Sequence, residues 1–254
     1  MLELRKVSKR YSSIPAVENV SFTARPGEVT GYLGANGSGK STTMKMITSL
    51  IEMSSGEISF EGKPIQSDLV AYKQRLGYVP EEPHLYTHLS GLEYLDMVAQ
   101  LRNLPRKLAA DRIDGLLRLF TLHGDRDVQI SSYSKGMRQK VLLAAALMHN
   151  PDLILMDEPF SGLDVGSSLV LRSLIQELAV RGKVILFSSH ELETVERICS
   201  HVVILHRGKV VADDSIESLR TLMALPTLEG IFSQLAVEQD ASTISREIAD
   251  LIHA

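Results

Sequence analysis

The sequence predicts an α/β protein: a mostly parallel sheet covered by helices on both faces. Three observations predict it. Apolar runs of strand length, within DLILMD and KVILFSSH, alternate with helical patterns, LVLRSLIQELAV and ELETVERICS. Strands buried on both faces read as such continuous apolar runs. An apolar strand, VTGYL, leads into a glycine-rich turn and then a helix, TTMKMITSL, the strand–turn–helix order of an α/β unit. The stretch from about Glu82 to Asn150 is helical in pattern and interrupts the alternation, so it reads as an inserted helical subdomain. A chain of 254 residues accommodates one large domain with such an insertion.

The elements follow in chain order. LELRKVSKRY and AVENVSFTARPGE alternate polar and apolar side chains, which predicts two or three short strands, the last passing through GEVTGYL into a buried one. GEISFEGKPI, Gly56 to Ile65, is a strand–turn pair. LEYLDMVAQL and RIDGLLRLF place apolar residues at i, i+3, i+4 spacing. RQKVLLAAALM is apolar almost all round and is therefore a buried helix. HVVILHRGKVV is a pair of strands. Residues 1–225 form one domain on this reading, and 226–254 a C-terminal extension of one or two short amphipathic helices.

Composition narrows the function. The net charge is −4 with both signs mixed along the chain, which argues against nucleic acid as a partner. The single cysteine, Cys199, forms no intrachain disulfide and suits a reducing compartment. MLELRKVSKRY lacks the apolar core of a signal peptide. The most apolar run, Val141 to Met148, falls far short of the roughly 20 residues that cross a bilayer. The chain is therefore expected to reach a membrane only through a partner.

Gly34 to Thr42 reads GANGSGKST and matches G-x-x-x-x-G-K-[ST] in full. Glycines 34, 37 and 39 are expected to permit positive φ, so that backbone N–H groups of Gly34, Ala35, Asn36, Gly37, Ser38 and Gly39 turn inward on a phosphate. The helix beginning near Gly39 aims its positive end at the same anion. Lys40 can reach the β- and γ-phosphates, and Ser41, beside Thr42, offers a hydroxyl to Mg²⁺. The chain is read as binding a nucleoside triphosphate.

LILMDE, Leu153 to Glu158, is an apolar strand ending in two acids. It delivers Asp157 to the C-terminal edge of the sheet, where ligands sit, as a Mg²⁺ ligand. Glu158, the next residue, is positioned to polarise an attacking water. KVILFSSH ends its strand in His190, a group that would face the γ-phosphate from a neighbouring strand. His84 and His88 share i, i+4 spacing but have no obvious third ligand, so a metal site is not expected there.

GANGSGKST, YSKGM (Tyr133 to Met137), LILMDE, SGLD (Ser161 to Asp164) and His190, in this order and spacing, resemble the ATPase subunit of an ATP-binding cassette (ABC) transporter over roughly residues 1 to 220. The resemblance implies a P-loop NTPase fold with an N-terminal antiparallel β subdomain and the inserted helical one. It also implies a head-to-tail dimer, with an identical chain or a paralogue, in which the signature of one subunit closes the ATP site of the other. YSKGM stands 23 residues before Asp157, where the family has its signature. Ser134 and Gly136 match its phosphate-contacting serine and glycine, whereas Tyr133, Lys135 and Met137 depart from the commonest form.

Further roles follow only from the resemblance. Tyr11 matches the adenine-stacking aromatic, with Val17 on the same face. Glu81 stands in LGYVPEEPHLY where the family usually has glutamine, and can ligate Mg²⁺ or orient water. Asp164 links the two sites across the dimer. The segment from Glu81 to Tyr94 receives a cytoplasmic helix of a transmembrane permease, which places the chain on the inner face of the cell membrane. Glu81, YSKGM and PTLEGIF (Pro226 to Phe232) resemble the branch exporting drugs, antibiotics or lipids. The rival reading, a soluble ABC ATPase acting on nucleic acid or the ribosome, is disfavoured because no heptad run lies between the P-loop and the signature.

Overall fold

The computed structural model describes residues 1–12 and 14–236. Residues 237–254, the greater part of the expected C-terminal extension, lie outside them.

Two sheets organise the described residues. The first is antiparallel, in the order β2 (Ile14–Ala24), β1 (Leu2–Tyr11), β4 (Ser55–Phe60), β5 (Lys63–Pro64). The second runs β10 (Lys209–Ser215), β9 (His201–His206), β3 (Val29–Leu33), β8 (Val184–Ser189), β7 (Leu153–Asp157), β6 (Leu76–Val79). Its strands are parallel except for β10, which returns antiparallel along β9. All residues of β3, β7 and β8 are buried, which is why their sequences show no polar alternation.

Alternate side chains of these strands enter opposite cores. Leu153, Leu155, Val184 and Leu186 face the antiparallel sheet and α1 (Lys40–Ile47), together with Leu4, Val20, Met44 and Ile58. Ile154, Met156, Ile185 and Phe187 face the helices on the other side. Each fully buried Leu, Ile or Phe contributes about 1.5–3 kcal/mol, so the period-two pattern fixes the strands against slipping by one residue.

Between β6 and β7 the chain forms only helices and turns, apart from a single bridge between Ser90 and Gln129. The long helices are α3 (Gly91–Leu101), α4 (Arg106–Leu119) and α5 (Lys135–Leu147), preceded in the chain by the short α2 (Leu69–Gln74). Ser90 and Glu93 close a capping box at the start of α3. Residues Val141 to Ala146 of α5 are all buried, and the helix packs beneath α3 and β6.

The remaining helices are α6 (Val165–Val180), α7 (Leu192–Ile198), α8 (Ile216–Met223) and α9 (Leu228–Ala236). α7 lies so close to β3 that a Cβ on Gly31 would meet Val195 Cγ1 at 2.7 Å and Cys199 Sγ at 2.9 Å. Cys199 is buried at the end of that helix, and burial pushes its thiol pKa well up. No helix among the described residues is long and apolar enough to cross a membrane.

Candidate active site

The C-terminal ends of β3, β8 and β7 lie side by side and deliver the site. From β3 the chain enters the glycine loop. Gly37 and Gly39 take φ of 80° and 108°, conformations that L side chains rarely adopt. Gly34 differs from expectation: its φ is not positive, and its role is steric. A Cβ there would lie 2.3 Å from Ser38 Oγ and 2.5 Å from the Leu205 carbonyl. A Cβ on Gly39 would lie 2.6 Å from the Ala16 carbonyl. The loop is thus pressed onto β9 and β2, and only glycine fits at its two ends.

Lys40, at the start of α1, is buried and donates from Nζ to the carbonyls of Gly34 (2.6 Å) and Ala35 (3.3 Å). Burial lowers its pKa, opposed by the nearby carboxylates of Glu158, Asp157 and Glu81. Beside it opens a cavity of about 370 Å³ lined by Asn36, Gly37, Gly39, Lys40, Ser41 and Thr42 on one side. Glu81, Asp157, Glu158 and Ala16 complete the wall. This volume is within the range of small-molecule sites. Ala35 is exposed at the loop tip, whereas the Ser38 hydroxyl is buried and lacks a hydrogen-bond partner.

Asp157 ends β7, buried, and accepts a short hydrogen bond from the Ser188 hydroxyl of β8. Glu158 follows with φ of 48°, a left-handed conformation costing about 1–2 kcal/mol for a residue with a Cβ. Its N–H donates to Ser188, at 3.2 Å to the carbonyl and 3.3 Å to the hydroxyl. This turn carries the Glu158 carboxylate to His190, one residue beyond β8, with Nδ1 2.9 Å from Oε1. Burial raises the Glu158 pKa; the hydrogen bond to His190 and the charge of Lys40 oppose that, and Asp157 adds to it.

Ser41, Glu81 and Asp157 also line an adjoining cavity of about 500 Å³. A hydroxyl and two carboxylates suit Mg²⁺, which commonly takes one or two protein carboxylates and completes its shell with water and substrate phosphates. No cluster of three or more His, Cys, Asp or Glu among the described residues forms a cage that would hold a metal without such a substrate.

Other expected site residues stand apart from this cavity. Tyr11, half-exposed at the end of β1, lies under Lys9 Nζ at 5.3 Å. Val17, expected beside it, is fully buried; its side chain props the loop under Gly39, and Ala16 lines the cavity instead. Ser134 caps α5, accepting from the Met137 N–H at 3.2 Å. Lys135 donates to the Ser161 hydroxyl at 2.7 Å, and a Cβ on Gly136 would lie 2.6 Å from the Gly162 carbonyl. Asp164 caps α6 through Ser167, which holds its carboxyl down at about 2. YSKGM and SGLD therefore touch each other and leave the P-loop cavity of their own chain open.

Two supporting residues escaped sequence reasoning. Ser188 sits in an otherwise apolar strand, and its only signal is a hydroxyl where the pattern calls for a hydrocarbon. Gln139, buried in α5, donates to the Pro159 carbonyl at 3.1 Å and fixes the turn after Glu158. An uncharged amide flanked by Arg138 and Lys140, just before the apolar run of α5, was the only sign of such a role in the sequence.

Comparison with known proteins agrees with this geometry. The family model described as ABC transporter matches residues 17–161. The chain is 40% identical over 224 residues to the ABC transporter ATP-binding protein NatA of Bacillus subtilis, covering 86% of this chain and 91% of that one. A solved structure described as an ATP binding subunit of an ABC transporter superposes with a TM-score of 0.88 at 35% identity, over 92% of this chain and 99% of the other. The dimeric post-hydrolysis cassette MJ0796, bound to ADP and Pi, shares the fold at a TM-score of 0.79 and 24% identity, over 85% and 99% of the two chains. With a glycine loop, two strand-end acids and a strand-end histidine meeting at one sheet edge, the chain belongs to the ABC transporter family as an ATP-binding subunit.

Proposed function

We propose that this chain hydrolyses ATP to power export of a hydrophobic compound through a separate transmembrane permease. The observation that carries the catalytic part is the Glu158–His190 pair at the mouth of the P-loop cavity, 2.9 Å apart on adjacent strand ends. The triphosphate lies along residues 34–42 with Lys40 on its β- and γ-phosphates, and Tyr11 stacks on the base. Ser41, Asp157 and Glu81 would hold Mg²⁺, which when bound would neutralise phosphate charge. Glu158 accepts a proton from the attacking water, and His190 orients that carboxylate and contacts the γ-phosphate. The raised pKa of Glu158 favours its acceptance of that proton.

Ser134 and Gly136, with Lys135 and Met137 beside them, meet the nucleotide of a second subunit in a head-to-tail dimer, and Asp164 lies at that junction. The open cavity, and the position of YSKGM away from it, support this reading. The helices between β6 and β7 act as the subdomain that meets the permease, next to the segment from Glu81 to Tyr94. Export, and attachment to the inner face of the membrane, rest on the resemblance of Glu81, YSKGM and PTLEGIF to exporter subunits.

The test is a pull-down with tagged Glu158→Gln protein and ATP from detergent-solubilised membranes of the source organism. A multi-spanning permease is the expected catch. Recovery of ribosomes or DNA-bound proteins without a permease would overturn the transport reading and leave the ATPase site standing.

A further inference from the structure

The turn from Glu158 to Asp164 is tied along one face of α5. Gln139 Nε2 holds the Pro159 carbonyl at 3.1 Å, and Lys135 Nζ holds the Ser161 hydroxyl at 2.7 Å. Gly136 packs on the Gly162 carbonyl, and Lys140 Nζ lies 3.8 Å from Asp164 Oδ2. Residues 135, 136, 139 and 140 share a face because a helix repeats every 3.6 residues. The Ser161 N–H also donates to the Glu158 carbonyl at 3.1 Å. A single turn thus connects the carboxylate that would activate water to the N-terminus of α5.

Of these ties, only the one from Lys135 ends in an exposed ammonium at the mouth of the signature. Its methylenes lie over Gly162: a Cβ there, at φ 78°, would meet Lys135 Cγ and Cδ at 2.8 Å. Its charge, unlike the amide of Gln139, is exposed and has a neutral hydroxyl as its partner. A phosphate arriving at Ser134 and Gly136, one residue away on each side, is a far stronger acceptor for an ammonium than a serine hydroxyl.

We infer that Lys135 is a two-position latch: it holds Ser161 when the signature is empty and transfers to the phosphates of a nucleotide presented by a second subunit, releasing the turn that begins at Glu158. The inference rests on the trans-site reading given above. Binding at one site would then loosen and reset the catalytic carboxylate of the other, a coupling carried by one side chain with two partners. Ser161 opposes dimer closure in this scheme, whereas Lys135 favours it.

The two residues therefore predict opposite signs, which a purely structural contact does not. In the full chain carrying Glu158→Gln, dimer formation is followed by analytical ultracentrifugation against MgATP, with ATP binding to the monomer measured by fluorescence titration. Ser161→Ala is expected to lower the ATP concentration for half-maximal dimer roughly two- to tenfold, the range of one hydrogen bond. Lys135→Met is expected to raise it by a similar factor, and monomer affinity stays unchanged in both. With the Glu158 carboxylate intact, Ser161→Ala also lowers the Hill coefficient of hydrolysis toward 1. An unchanged or raised midpoint for Ser161→Ala, or an unchanged one for Lys135→Met, overturns the latch. Absence of ATP-dependent dimers in the parent protein, with monomer binding intact, overturns the trans-site reading itself.

Discussion

His190 Nδ1 lies 2.9 Å from Glu158 Oε1, and the two residues come from the ends of neighbouring parallel strands. The pairing sets the pH dependence of the site. Burial holds the Glu158 carboxyl above the ordinary carboxylate value, and the hydrogen bond to the His190 imidazole draws it back. A general base works deprotonated, so hydrolysis rises with pH through this group, with the acid limb displaced above the ordinary carboxylate range. His190→Ala removes a lowering influence. The limb is expected to move to higher pH, and the plateau rate to fall roughly 10–10²-fold through lost positioning. Single-turnover rates across pH check this; a limb that stays in place or moves to lower pH rules out the coupling.

Gly34→Ala tests the steric reading of the loop. The new methyl would fall within 2.5 Å of both Ser38 Oγ and the Leu205 carbonyl. The loop must then lift from β9, at a cost of about 1–3 kcal/mol. Denaturant unfolding is expected to show that loss, and calorimetry a parallel loss of ATP affinity. A fully stable variant with normal affinity would show that the loop has slack.

Ser188→Ala removes the hydroxyl that donates to the buried Asp157 carboxylate. Leaving that acceptor short of a donor costs about 1–3 kcal/mol. The Mg²⁺ concentration for half-maximal hydrolysis is expected to rise, because Asp157 is no longer held in place. Ser188→Thr keeps the hydroxyl and should restore both. Equal stability of the Ala and Thr variants would remove Ser188 from the site.

Glu196, on α7, accepts a short hydrogen bond from Arg220 of α8 and another from the N–H of Leu228 at 3.3 Å. α7 starts two residues after His190, so this junction helps set where the imidazole stands. Glu196→Gln is expected to lower kcat roughly two- to tenfold with KM for ATP unchanged. A change in KM alone would show that the junction acts elsewhere.

The α/β architecture was legible because β3, β7 and β8 are buried on both faces and read as largely apolar runs without polar alternation, a pattern that belongs to a covered parallel sheet. The cradle was legible from its glycines, although Gly34 serves close packing where positive φ was expected. The meeting of His190 with Glu158 could be foreseen only as shared edge position, since strand order is a non-local fact. Val17, expected on the face of Tyr11, lies buried under Gly39 while Ala16 lines the cavity, a placement that depends on how the antiparallel sheet docks. Ser188 gave little sign because one hydroxyl in FSSH looks like any other strand end.

The strand order has a consequence for how the molecule is made. β3 and the glycine loop are synthesised early, yet both neighbours of β3 in the sheet, β8 and β9, come from beyond residue 183. Until those strands emerge, Gly34 has no Leu205 to press against and Glu158 has no Ser188 or His190. Such long-range parallel pairing is slow to form because loop closure precedes its reward. A nascent chain therefore carries a complete glycine-loop sequence for most of its synthesis without a nucleotide site, and ATP cannot stabilise it until the centre of the sheet closes.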